Sequence, residues 1–349
     1  MKPFSYERPA TTRQAVALVA DNPGAVYVAS GTNVLDHLKL GISEPTLLVD
    51  VTGLPLNEVE ALPGGGLRIG ANVRNADLAT HPVVRRHYPV ISQALLAGAS
   101  PQLRNMATLA GNLLQRTRCR YFQDPDTPCN KREPGSGCAA VESRTEQCAV
   151  LGASPACAAV HPSDLAVALC AADAVVCVRG RRTGDRRIPV TALHRLPGNH
   201  PERDTVLDHG DLITAVELPP LPPAARSRYR KVGDRASFAF ALVSVAVAVE
   251  LDGVRIKDTR IAFGGLATKP WRAHRAEAVL RGAPATADRF AAAARAELAE
   301  ARAVRANAYK LPLARDTLVA TLLDLCAGGE AVARLGTPPE RPARGDRRS

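Results

Sequence analysis

Aromatic side chains are scarce in this chain of 349 residues: six Phe, six Tyr and one Trp make up 4% of it. A platform that stacks nucleic-acid bases needs rings set among its charges. The formal net charge of +11 raises the prior for an anionic partner, but no nucleic acid is expected. Long apolar runs are missing too. The longest, Phe238 to Val249, has about twelve residues and is interrupted by Ser244, whereas a spanning helix needs ~18; no membrane span is expected. The opening MKPFSYERPATTRQ has no apolar h-region and no twin-Arg pair, so no secretory signal is read there and folding in the cytoplasm is expected. G-x-G-x-x-G and G-x-x-x-x-G-K-[ST] are both absent, which removes the Rossmann and P-loop readings. No Ser/His/Asp or Cys/His set and no paired carboxylates stand out, so no catalytic residue is assigned.

The chain is otherwise ordinary, with 46% hydrophobic and 23% charged residues, enough for two or three domains with real cores. The first fifty residues read as α/β. Thr11 or Thr12 caps a helix that Asn22-Pro23-Gly24 ends, and a strand at 25–29 and a helix at 34–40 flank Ser30-Gly31-Thr32-Asn33. A strand at 46–51 follows, then a hairpin of 56–61 with 67–69, then helical pieces from Asn75 to Leu109 broken by prolines. Further on, a helix starts at Ser163 and a strand spans 174–178. The proline cluster Pro219-Pro220-Leu221-Pro222-Pro223 marks a domain boundary. Beyond it strands are expected at 227–232, 237–251 and 254–263, the last two turning at Asp252-Gly253. Helices are expected over 273–280, 285–307 and 311–335, then a disordered tail at 336–349.

Several stretches could carry chemistry. The strand–turn–helix around Gly31 lets backbone approach a ligand closely, and amides at a helix start suit a diphosphate, although one glycine there is usually just a turn. Residues 103–116 combine small residues, two Asn, Thr108 and flanking arginines, which suits a polar cofactor or simply a capped helix end. In His161-Pro162-Ser163-Asp164, Ser163 can cap the next helix while Asp164 can accept from a cofactor hydroxyl. Tyr229-Arg230-Lys231-Val232 places a lysine on a strand.

Residues 117–160 differ in kind, with no sustained period and with five of the eight cysteines inside 39 residues. A segment this long needs something other than an apolar core to order it. The spacing from Cys119 to Cys157 is C-x9-C-x8-C-x9-C-x8-C, without the short C-x2-C knuckle of a zinc finger. Four thiolates on a long loop suit an iron–sulfur cluster, leaving one thiol over. Cys170, Cys177 and Cys326 read as core residues.

Taken in order, ASGTN (29–33), QLRNMATLAGNLLQRTRCRYF (102–122), PCNKREPGSGC (128–138), HPSD (161–164) and YRKVGDRASFAFALVSVA (229–246) closely resemble the FAD-binding subunit of molybdenum hydroxylases related to xanthine dehydrogenase. The resemblance is to the branch with an extra [4Fe-4S] cluster, found in three-subunit bacterial aldehyde oxidoreductases, and it covers about residues 1 to 325. It implies an α+β fold with a PCMH-type (vanillyl-alcohol oxidase-like) FAD-binding domain of two subdomains. That domain would span 1–220, with the cluster insertion at about 117–160, before a C-terminal α+β domain at 225–330. It implies that Ala29, Ser30, Gly31, Thr32, Asn33 and Val34 hold the FAD diphosphate and that Thr108, Gly111 and Asn112 form a second FAD loop. Asp164 would reach ribityl or ribose hydroxyls, and Lys231 would stand near the pyrimidine edge of the flavin. The [4Fe-4S] ligands would be Cys119, Cys129, Cys138 and Cys157. Two departures are visible. Ser30 stands where the family usually has Gly, which fits only if its φ is negative or its side chain points away, and Cys148 stands where relatives commonly show His. The implied partners are a molybdopterin-binding large subunit, a [2Fe-2S] small subunit and an external electron acceptor. Such a signal-less subunit can also be exported folded on a partner's signal. A hydroxybenzoyl-CoA reductase-like or xanthine dehydrogenase-like flavoprotein subunit is the alternative. A metal-bound nucleic-acid-binding protein would leave ASGTN, HPSD and the YRKV strand unexplained.

Overall fold

The structure, a computed structural model, describes residues 1–143, 146–222 and 224–327. Strands β1 (Ser5–Glu7), β2 (Ala25–Val28) and β3 (Leu47–Asp50) form a parallel sheet with β3 in the middle. Helix Thr12–Ala20 packs Ala15, Val16 and Val19 onto it, and Thr11 Oγ1 caps that helix by accepting from the Gln14 amide at 3.2 Å.

Strands β4 (Val59–Ala61), β5 (Leu67–Gly70), β6 (Val175–Gly180), β7 (Gly184–Pro189) and β8 (Leu212–Leu218) build an antiparallel sheet ordered β4–β5–β8–β6–β7. The third sheet is antiparallel, from β9 (Arg226–Val232), β10 (Val243–Asp252), β11 (Arg255–Gly264) and β12 (Trp271–Arg272). Helices His274–Leu280, Ala287–Leu298 and Lys310–Cys326 share its second core, around Phe263, Phe290 and Leu318. The architecture is α+β, as expected.

Helix Asp164–Ala171 is the hinge-pin of the molecule. All eight of its residues are buried, between helix Pro89–Ala97 on one side and β10 and β11 on the other. Leu165, Val167 and Leu169 explain its position, because burying each contributes about 1.5–3 kcal/mol. Ser163 starts it, Oγ accepting from the Ala166 amide at 3.0 Å.

Several expected elements differ in extent. The strand expected at 237–251 begins only at Val243, because Phe238 sits at φ +51° and the Arg235 guanidinium holds its carbonyl. The helix expected over 285–307 stops at Leu298. Asn307 is instead drawn into the core, where it donates to the Cys148 and Ala149 carbonyls. The helix expected to reach 335 is Lys310–Cys326 in the described residues, and the tail at 336–349 lies outside them. Strands β1, β7, β8 and β12 were not expected.

Candidate functional site

A cleft of about 700 Å³ opens between the turn after β2, the start of helix Asp164–Ala171 and the sheet of β9 to β11. Thr32, Asn33, Gly111, Asn112, Asp164 and Lys231 all line it. Ala29, Ser30, Gly31 and Val34 belong to the same turn but do not line the cleft, and Thr108 faces a separate polar cavity with Thr52, Asn72 and Arg74. Gly31 has φ +75°, and a Cβ there would stand 2.8 Å from the Leu35 side chain, so glycine is required. Ser30 is not among the positive-φ residues, which meets the condition its presence demands. Among the described residues the amides of Gly31, Thr32, Asn33 and Val34 donate to no protein acceptor, as at any helix start.

The Asn33 side chain is fixed from two directions. Its Oδ1 accepts from the Arg116 amide at 3.0 Å, so its Nδ2 faces His37 Nε2 at 3.2 Å. An amide NH₂ can only donate, hence His37 Nε2 carries the lone pair. Burial, with help from Arg116 and Arg118, pushes the His37 pKa down to about 4. The second loop is tied similarly: Thr108 Oγ1 accepts from the Gly111 amide at 3.2 Å, and Ser163 Oγ donates to Asn112 Oδ1 at 2.7 Å.

Across the cleft, Lys231 Nζ donates to Asp164 Oδ2 at 2.7 Å and to the Ala97 carbonyl at 3.0 Å. Tyr229 OH donates to Asp164 Oδ1 at 2.5 Å. Burial raises the Asp164 pKa, opposed by Lys231, and burial beside Asp164 drives the Tyr229 phenol far above its ordinary value. The ammonium has three protons and the carboxylate about four lone-pair sites, so each keeps capacity for a ligand. Tyr229 was not among the expected site residues, although it lies two positions from Lys231 on one strand and hence on the same face.

Among the described residues lining the cleft are six Arg and Lys side chains against three carboxylates, which suits an anionic ligand. Another of these cations, Lys310, was not foreseen. It is 1% exposed, and its ammonium donates to the carbonyls of Gln147 (3.1 Å), Cys148 (3.0 Å) and Gly265 (2.7 Å), while burial lowers its pKa to about 8.

Cys119, Cys129, Cys138 and Cys157 line one small cavity; Cys119 also lines the large cleft, as does Cys148, which shares a packed cluster with Cys119 and Cys138. All eight cysteines are free. Among the described residues no three His, Cys, Asp or Glu groups are set to hold a single metal ion. Four thiols around a shared space, with no carboxylate among the described residues of its lining, are the donor chemistry of an iron–sulfur cluster. Burial pushes the Cys157 and Cys148 thiols up to about 11 and also raises Cys119.

Side-chain-to-backbone hydrogen bonds order this segment. Asn130 Oδ1 accepts from the amides of Gly135 and Gly137, and its Nδ2 donates to the Ala156 carbonyl. Arg132 donates to the carbonyls of Tyr121 and Phe122. Asp204, also unforeseen, accepts from Arg116 at 2.7 Å and Lys131 at 2.5 Å. Burial works to raise its pKa, but these two cations hold it below the carboxylate range.

Residues 2–221 match the family described as the FAD binding domain in molybdopterin dehydrogenase, and residues 227–325 match the CO dehydrogenase flavoprotein C-terminal domain. The chain is 51% identical over 325 residues to the aldehyde oxidoreductase FAD-binding subunit PaoB of Escherichia coli K12, covering 93% of this chain and 98% of that protein. It is 27% identical to the glyceraldehyde dehydrogenase medium chain of Sulfolobus acidocaldarius, covering 78% of this chain and 79% of that one. Among solved structures, a carbon monoxide dehydrogenase chain from Hydrogenophaga pseudoflava superposes with a TM-score of 0.73 at 22% identity, covering 93% of this chain and 98% of that one. Fold, domain matches and this level of identity agree: the chain belongs to the FAD-binding medium subunits of the xanthine dehydrogenase-related molybdenum hydroxylases.

Proposed function

We propose that this chain is the FAD- and [4Fe-4S]-binding electron-transfer subunit of a molybdenum-dependent aldehyde oxidoreductase. It would work with a molybdopterin-binding large subunit and a [2Fe-2S] small subunit and pass electrons to an external acceptor. The observation that carries the reading is the convergence of Thr32, Asn33, Gly111, Asn112, Asp164 and Lys231 on one cationic cleft. FAD, when bound, supplies the redox chemistry. The turn Ala29–Val34 offers the diphosphate its free amides, and Thr108 shapes the second loop through its bond to the Gly111 amide. Asp164 accepts from cofactor hydroxyls while Lys231 places positive charge at the pyrimidine edge. We assign residues 1–220 to the flavin-binding domain and 225–330 to the C-terminal domain, a division supported by the two family matches.

The 51% identity to an aldehyde oxidoreductase subunit favours aldehydes over xanthine or aryl-CoA thioesters. For the iron–sulfur cluster, the thiols of Cys119, Cys129, Cys138 and Cys157 line one cavity, with Cys148 packed in the same apolar cluster as Cys119 and Cys138 but off that lining. The test is to co-express the chain with its partner subunits under iron-replete, anaerobic conditions. Expected are bound FAD, iron and acid-labile sulfide, and reduction of a dye acceptor by aldehydes but not by xanthine or hydroxybenzoyl-CoA. A complex lacking flavin rejects the cleft assignment, and one with flavin but only [2Fe-2S] iron rejects the cluster.

A further inference from the structure

Lys131 is the one charged side chain, thiols apart, among the described residues lining the four-cysteine cavity. It is held there rather than free in solvent. Its side chain is 10% exposed, and its ammonium donates to the Pro201 carbonyl at 2.7 Å and to Asp204 Oδ1 at 2.5 Å. Asp204 in turn receives Arg116, whose amide fixes Asn33 on the cofactor turn. A cation is therefore held at a fixed, mostly buried position on the lining of the thiol cavity, with its counter-charge Asp204 bonded to the ammonium but off that lining.

Resting on the cluster reading above, we propose that Lys131 sets the reduction potential of the iron–sulfur centre and that Asp204 moderates it. Reduction adds one negative charge to the centre, so a nearby ammonium stabilises the reduced form and a nearby carboxylate disfavours it. Potentials of such centres respond to net charge, hydrogen bonding and solvent exposure. The ammonium also donates to the Pro201 carbonyl, a contact that Asp204→Asn does not remove.

The two groups predict opposite signs, which separates charge from mere loosening. In the assembled complex, the centre is titrated with dithionite and followed by low-temperature EPR. Lys131→Gln is expected to lower the one-electron reduction equilibrium constant about tenfold or more, equivalent to ~59 mV. Asp204→Asn is expected to raise it, and Lys131→Arg to restore the wild-type value. Iron and sulfide content are measured on each sample. A fully loaded Lys131→Gln centre with an unchanged potential overturns the proposal, as do shifts of the same sign in both variants, which mark water entry. If Lys131→Gln fails to load, the sign for loaded Asp204→Asn decides. A wild-type complex with no [4Fe-4S] signal overturns the cluster reading itself, a result distinct from an unchanged potential.

Discussion

His37 acts on the cofactor turn through one lone pair, because Asn33 Nδ2 needs an acceptor at Nε2. Protonation would set two donors face to face. The native pKa of about 4 lies below the ordinary 6.5, so an unfolded chain takes up this proton first as pH falls. The stabilisation is complete above pH 6.5 and is lost as pH falls towards 4, with a slope of up to ~1.4 kcal/mol per pH unit. His161 and His194, also lowered by burial, act in the same direction. Denaturant midpoints should fall between pH 6.5 and 4.5, and His37→Gln, whose amide oxygen can still accept, should flatten part of that slope. Level wild-type midpoints across this range contradict the assignment. Short-range features such as the caps at Thr11 and Ser163 were legible in the sequence. The Asn33–Arg116 bond joins residues 83 positions apart, and no local pattern announces it. The same holds for Asp204 and Lys310, whose polar groups find partners only once distant segments pack.

Elements were legible where periodicity and turn chemistry coincide. The Asp252-Gly253 hairpin has Gly253 at φ +56° between β10 and β11, and β4 pairs with β5 as expected. β7 escaped because Gly184-Asp185-Arg186-Arg187-Ile188-Pro189 shows no apolar alternation; its pairing with β6 comes from an edge position facing solvent. The segment 117–160 was recognised by lack of pattern, and the structure gives the reason: its own apolar cluster, around Ala140, Cys148 and Ala158, is small, and side chains bonded to backbone hold much of the rest. Asn130 alone makes three such bonds. With each worth about 0.5–1.5 kcal/mol net, Asn130→Ala should free the 129–138 hairpin locally while the sheets stay intact. Limited proteolysis should then cut within 128–138 much faster than in the parent, with unchanged far-UV circular dichroism. Equal cutting rates would place the ordering of this segment elsewhere.

At the scale of the whole molecule, the cleft exists because helix Asp164–Ala171 lies close against the C-terminal sheet, and one row across that sheet explains how. Lys231 on β9 pairs with Ser244 on β10, which pairs with Gly264 on β11. Lys231 meets Asp164 at the start of the helix, while Gly264 lies beneath Val167 one turn later. A Cβ at Gly264 would come within 2.4 Å of Ser244 Oγ and 2.7 Å of Val167 Cγ2. Neither neighbour is a long side chain that can swing aside, so Gly264→Ala must lift the helix, at about 1–3 kcal/mol for such overpacking. The lift acts where the two halves of the site meet, stretching the Asp164–Lys231 contact. Gly264→Ala is thus expected to lower the melting temperature and the FAD retained per chain together. Adding Val167→Ala removes one of the two clashes and should recover part of both losses, a coupling that independent sites would not show. Retention of FAD at the parent level in a destabilised Gly264→Ala protein would mean that the cleft tolerates this displacement and that the helix does not set its width.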